Sequence, residues 1–155
     1  MWTEHLYRIE RWFEPTPKAV GEARRFCRSV LGKWGVATAG DVLVVVSELV
    51  CNAVVHGRTD FRLALVLWDG SVAVEVADGE LAPPEPLDVT HDAAGGRGLR
   101  LVQELSGSWG WHPVPGGKQV WAAVPLPAGA PLQHDKNRVG TRAGRSEMSG
   151  AGKSR

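Results

Sequence analysis

The sequence predicts a two-layer α/β sandwich, a sheet built from hairpins with helices laid against it. Two pairs of segments, Phe61–Trp68 with Val72–Ala77 and Trp109–Val114 with Gln119–Leu126, each flank a glycine-containing turn and read as β-hairpins. Three further segments repeat apolar residues at helical spacing. A chain of 155 residues, 43% hydrophobic, has material for one buried core and hardly for two.

The elements follow in order. Tyr7 to Phe13 reads as a short edge strand. Thr16-Pro17 then supplies an N-cap and a proline at the first helical position, and Val20, Ala23, Cys27, Val30, Leu31 and Trp34 follow on one helical face until Gly35 stops it. A second helix is predicted to open at Thr38, with Asp41 three residues later as a capping box, and to run to Gly57. Its Val42-Leu43-Val44-Val45-Val46 run suits a strand by propensity, but the length and the polar spacing that follows favour helix. In the first hairpin, joined at Asp69-Gly70-Ser71, period-two parity puts Val72, Val74, Val76 and Asp78 on one face. Residues 80–94 hold Pro83-Pro84 and Pro86 without periodicity and read as a long loop. Leu99, Leu101, Val102 and Leu105 then mark a third helix, and the second hairpin turns at Pro115-Gly116-Gly117-Lys118.

Three places carry polar chemistry on these apolar elements. Glu48, Asn52 and His56 fall on one stripe of the second helix, since each residue advances by about 100°. An acid and a carboxamide one turn apart suit a metal-and-water station, and they suit the wet edge of an amphipathic helix as well. Asp78 closes an apolar strand face, as a turn former before Gly79 or as a buried acceptor. Gly95, Gly96 and Gly98, with Arg97 among them, precede the third helix, where open backbone and unpaired N–H groups can cradle a polyanion.

In order and spacing, the segments Ser47–Gly57, Val72–Gly79 and Gly95–Val102 resemble the N, G1 and G2 boxes of the GHKL (histidine kinase-like) ATPase superfamily. The form E-L-V-x-N-A-x-x-H-G followed by G-R-G-L-x-L-V looks most like bacterial anti-sigma factor serine/threonine-protein kinases, over about Thr16 to Leu126. The resemblance implies the GHKL/Bergerat-type fold, a mixed, mostly antiparallel sheet covered on one face by three helices, and it implies ATP and Mg²⁺ as cofactors. By resemblance Asn52 coordinates the metal and Glu48 is the general base that deprotonates a serine or threonine hydroxyl of a partner. Asp78, with Gly79 beside it, reads the adenine amine; Gly96, Arg97, Gly98 and Leu99 hold the phosphates; residues 80–94 are the lid. The implied partners are a sigma factor or an anti-sigma factor antagonist, and dimers are common in the family. An alternative from a different class carries the same boxes: an ATP-gated binding module that sequesters a sigma factor with little or no kinase activity.

Two departures from the family stand out. Its G1 pattern D-x-G-x-G is here Asp78-Gly79-Glu80-Leu81-Ala82, without glycine at positions 80 and 82, which puts the lid hinge in doubt. No phosphoacceptor histidine helix pair precedes the domain, so autophosphorylation is disfavoured.

Charge and cysteine usage narrow the class further. The formal net charge of +1 gives no general case for nucleic acid or membrane binding. From His134 to Arg155 six Lys or Arg stand against Asp135 and Glu147 with almost no bulky apolar residue, so residues 128–155 are expected to be a disordered basic tail after an ATP-binding domain at 1–127. Cys27 and Cys51 sit among apolar neighbours and are expected to be buried reduced thiols. With no signal-like N-terminal apolar run, a cytoplasmic protein is expected. The seven tryptophans are scattered along the chain, and most are expected to be packing residues of core or rim rather than a stacking platform.

Overall fold

The structure is a computed structural model that describes residues 5–36, 39–84 and 98–127. Its strands are β1 (Tyr7–Phe13), β2 (Phe61–Trp68), β3 (Ser71–Asp78), β4 (Ser108–Val114) and β5 (Gly117–Pro125). Its helices are α1 (Lys18–Lys33), α2 (Gly40–Asn52), which continues into a π-helical turn at Ala53–Gly57, and α3 (Gly98–Leu105). The strands form one sheet in the order β1-β2-β3-β5-β4, and every pairing is antiparallel. With three helices against it, the sheet makes the expected α+β sandwich.

Period-two alternation decides which side of the sheet is dry. Phe61, Leu63, Leu65 and Leu67 of β2 and Val72, Val74 and Val76 of β3 face the helices, none more than 2% exposed. Each such side chain contributes roughly 1.5–3 kcal/mol by leaving water. The opposite side sets charge over small apolar residues, Ala64, Val66 and Ala73, which are buried as well: Arg8 Nη1 lies 2.8 Å from Glu75 Oε2, and Arg8 and Arg62 both approach Glu10. Phe13 closes the core at the β1 edge, stacked on Phe61 at 5.6 Å.

The helices fit the same core. α1 buries Ala19, Ala23, Cys27, Val30 and Leu31, so Ala19 rather than Val20 begins the buried stripe. Pro17 flanks it without a side-chain cap. The end is the predicted glycine stop: Gly35 takes φ +71°, its N–H reaches the Gly32 carbonyl, and the Val36 N–H reaches Leu31, a Schellman arrangement. α2 buries Val42, Leu43, Val45, Val46, Leu49 and Val50, because it is wedged between the sheet and both other helices. Packing on several sides suits its β-branched residues despite their propensity. The helix begins at Gly40 behind Ala39, which makes no side-chain cap; Thr38 of the predicted capping box lies outside the described residues.

Both hairpins appear where alternation and glycine predicted them. Each turns through two residues, Asp69-Gly70 and Pro115-Gly116, with φ of +84° at Gly70 and +78° at Gly116. Lys118, expected in the second turn, belongs to β5. One expectation about side chains is corrected: Cys51 is exposed, on the outer side of α2, whereas Cys27 is buried, which pushes its thiol up to about 12. Trp34, Trp68, Trp109 and Trp121 are half-buried, and Trp12 is 64% exposed on β1, which has no strand on its outer edge among the described residues. The stretch Gly40–Gly57 has the length and hydropathy of a membrane span, yet it is the central helix of this sandwich. The predicted tail at 128–155 lies outside the described residues.

Candidate nucleotide-binding site

The site is assembled where α2 ends against the end of β3. From Ala53 the helix widens to π winding, and the Arg58 N–H closes on the Ala53 carbonyl at 3.3 Å with Arg58 at φ +51°. This brings the Gly57 backbone onto Asp78: a Cβ at Gly57 would lie 3.0 Å from Asp78 Cγ. Only a residue without a side chain fits there unless the carboxylate shifts. Asn52 lies about one turn back along the helix from this contact, and Glu48 about one turn further.

Asp78 itself is 9% exposed, on the same dry face as Val72, Val74 and Val76. Its surroundings hold it tightly. The Glu80 N–H donates to Oδ1 at 2.9 Å, and Lys118 Nζ reaches Oδ1 at 2.9 Å and Oδ2 at 3.1 Å. The next residue is fixed as well, since the Gly79 N–H donates to Thr59 Oγ1 at 2.8 Å, and a Cβ at Gly79 would lie 3.0 Å from that hydroxyl. Gly117 has no room for a Cβ, which would run into the Asp78 carbonyl. The segment lacking the family's glycines forms local turns of its own: Glu80 Oε1 accepts the Ala82 N–H at 3.0 Å.

On α2, Glu48 and Asn52 are both half-buried and His56 is exposed. The π turn takes His56 off the straight stripe of Glu48 and Asn52. Burial holds the Glu48 carboxyl above the usual carboxylate range, and the Cys51 thiol is raised by burial and then by the Glu48 charge. A carboxyl of raised affinity for protons, half open to solvent, is suited to take one from a hydroxyl.

The sequence-predicted residues divide into three groups. Glu48 and Asn52 lie on α2, whose continuation at Gly57 meets Asp78, the residue before Gly79, at the end of β3. Gly98 opens α3, and Leu99 follows it with its side chain buried in the core at 2% exposure, so that only its backbone can serve a ligand. Gly96 and Arg97 lie outside the described residues, as does most of the predicted lid. Gly57, Thr59, Gly117 and Lys118 join the site from outside the predicted set. The glycine that ends the E-L-V-x-N-A-x-x-H-G motif is the one of these with a signal in the sequence.

The comparison with known families decides what this arrangement is. A family model described as histidine kinase-like ATPase domain matches residues 13–124. The chain belongs to the histidine kinase-like ATPase family. Its fold is also that of a solved structure, the RsbU and RsbW domains of Rv1364c from Mycobacterium tuberculosis, at a TM-score of 0.60 and 22% identity. The alignment covers 77% of this chain and 32% of that one, so the chain spans about a third of that structure's length. No protein of curated function matches the sequence significantly. Membership of this ATPase family implies that the domain binds ATP.

The donor set also bears on a metal. Among the described residues no three His, Cys, Asp or Glu cluster as a metal cage. Mg²⁺ does not need one: it keeps several waters and takes one or two protein oxygens together with substrate phosphates. The half-buried Asn52 carboxamide, one turn from Glu48, fits that pattern.

Proposed function

We propose that this domain is an anti-sigma factor-type regulator that transfers the γ-phosphoryl group of Mg-ATP to a serine or threonine hydroxyl of a partner antagonist protein. The observation that carries this reading is the close approach of Gly57 to Asp78, which sets a buried carboxylate against the end of the helix that carries Glu48, a half-buried carboxyl of raised pKa. Asp78 accepts from the adenine amine. The nucleobase then lies over the helix end, and Gly98 and the Leu99 backbone at the start of α3 receive the phosphates; Gly96 and Arg97 are assigned to the same role by the sequence motif alone. Asn52 would hold the metal through its carboxamide oxygen, and Mg²⁺ there would supply positive charge against that of the phosphates. Glu48 takes the proton of the incoming hydroxyl as its oxygen attacks the γ-phosphorus and ADP leaves.

The sigma factor or antagonist partner and a cytoplasmic setting belong to the same proposal. Incubation with γ-labelled ATP and a small protein that co-purifies with the chain tests it. Label on a serine or threonine of that protein supports the kinase reading, and its absence in the presence of bound ATP counts against it.

A further inference from the structure

Lys118 has no part in the chemistry above. In the β3–β5 register it stands directly across from Asp78, on the helix-facing side of β5 with Val120, Ala122 and Val124. The two side chains are 6% and 5% exposed. The acceptor positions of Asp78 are unevenly filled. Oδ1 receives both Lys118 Nζ and the Glu80 N–H, whereas Oδ2 receives only Nζ among the described residues. A carboxylate oxygen takes two donors, so Oδ2 retains one acceptor position. An ammonium has three protons, and among the described residues Nζ has only the Asp78 oxygens as partners. An acceptor and a donor therefore stand side by side at the floor.

We propose that Lys118 is a specificity-determining residue that reads the nucleobase together with Asp78. Its ammonium donates to the ring nitrogen N1 of adenine while Asp78 Oδ2 accepts from the neighbouring 6-amino group. The proposal rests on the assignment of Asp78 to adenine. Adenine offers a donor at position 6 and an acceptor at position 1; guanine and hypoxanthine offer the reverse. A buried donor left without its acceptor disfavours an analogue that lacks it, so a two-point reading discriminates more sharply than one carboxylate alone.

The test is calorimetric titration of the full chain, in Mg²⁺, with ATP, with 1-deaza-ATP, in which a C–H replaces N1, and with purine riboside triphosphate, which lacks the 6-amino group. The wild type is expected to bind each analogue about tenfold or more weakly than ATP, as expected for loss of one charge-assisted or buried hydrogen bond. In Lys118→Met, ATP and 1-deaza-ATP are expected to bind alike, while the penalty for the missing amino group persists. Equal binding of ATP and 1-deaza-ATP to the wild type, with weak binding of the amino-deficient triphosphate, overturns the role of Lys118 and leaves that of Asp78 intact. Wild-type binding of the amino-deficient triphosphate as tight as ATP removes the Asp78 assignment and this proposal with it. Tighter ATP binding by Lys118→Met overturns the proposal in another way, by showing that the lysine fills the place of the base. The wild-type comparison decides the matter even where the variant does not fold.

Discussion

Gly117 of β5 and Asp78 of β3 approach so closely that the Asp78 carbonyl occupies the space a Cβ on Gly117 would need. Lys118 follows immediately and pairs with the Asp78 carboxylate, so the backbone contact and the ion pair fix the same corner. Gly117→Ala must push the strands apart. A loss of about 1–3 kcal/mol is expected, seen as a fall of several degrees in Tm by calorimetry, together with weaker ATP binding. Gly32→Ala is the contrasting case. Nothing lies within 4 Å of a Cβ there, in the last turn of α1, and the change is expected to raise stability by about 0.5–1 kcal/mol.

Removing one partner of the buried pair leaves the other charge stranded. Lys118→Met is expected to destabilise by about 3–5 kcal/mol, and the double variant Lys118→Met with Asp78→Asn by clearly less, because both charges leave together. Denaturant titration of the wild type, the two single variants and the double variant measures this coupling. Strictly additive losses would mean that the pair contributes nothing as a pair.

Asp78 assigns the base as well as the corner. ATP is expected to bind more tightly than GTP, and Asp78→Asn to weaken ATP binding while the fold persists. Equal affinities for the two nucleotides in a titration would remove Asp78 from this role.

Much of this architecture is legible in the sequence because it rests on local signals. Alternation in Val72–Ala77, glycine in both hairpin turns and the Gly35 stop are each decided within a few residues. Glu48, Asn52 and Asp78 are legible because polar groups interrupt apolar faces. Lys118 is not, since its partner is 40 positions away and the strand register alone brings them together. Thr59 is hidden for the same reason, holding Gly79 from 20 positions away. The π turn at Ala53–Gly57, which ends where Gly57 meets Asp78, leaves no mark in the periodicity. Cys51 illustrates the reverse error: its apolar sequence neighbours face the core and the cysteine itself does not.

The raised pKa of Glu48 gives a pH dependence of definite sign. Its cause is burial, so the folded protein holds this proton more strongly than the unfolded chain. Stability from this group is therefore greatest below the unfolded value of 4.5 and is lost as pH rises through the folded pKa above it. Glu48→Gln is expected to flatten that fall, and at neutral pH to be at least as stable as the wild type. Phosphotransfer follows the opposite course, since only the ionised carboxylate can take a proton. It is expected to rise through a pKa above the ordinary carboxylate range, and to lose that step in Glu48→Gln.

Phosphoryl transfer measured beside nucleotide affinity, in Glu48→Ala and Asn52→Ala, tests the central claim most directly. Glu48→Ala is expected to bind Mg-ATP as the wild type does and to transfer phosphate ~10²–10⁴-fold more slowly, because the base acts on the incoming hydroxyl. Asn52→Ala is expected to lose metal-dependent ATP binding itself, as a metal ligand would. A wild-type protein that binds ATP and transfers no phosphate to a co-purifying partner, yet retains a sigma factor only while ATP is bound, would contradict the account and leave an ATP-gated binding module in its place.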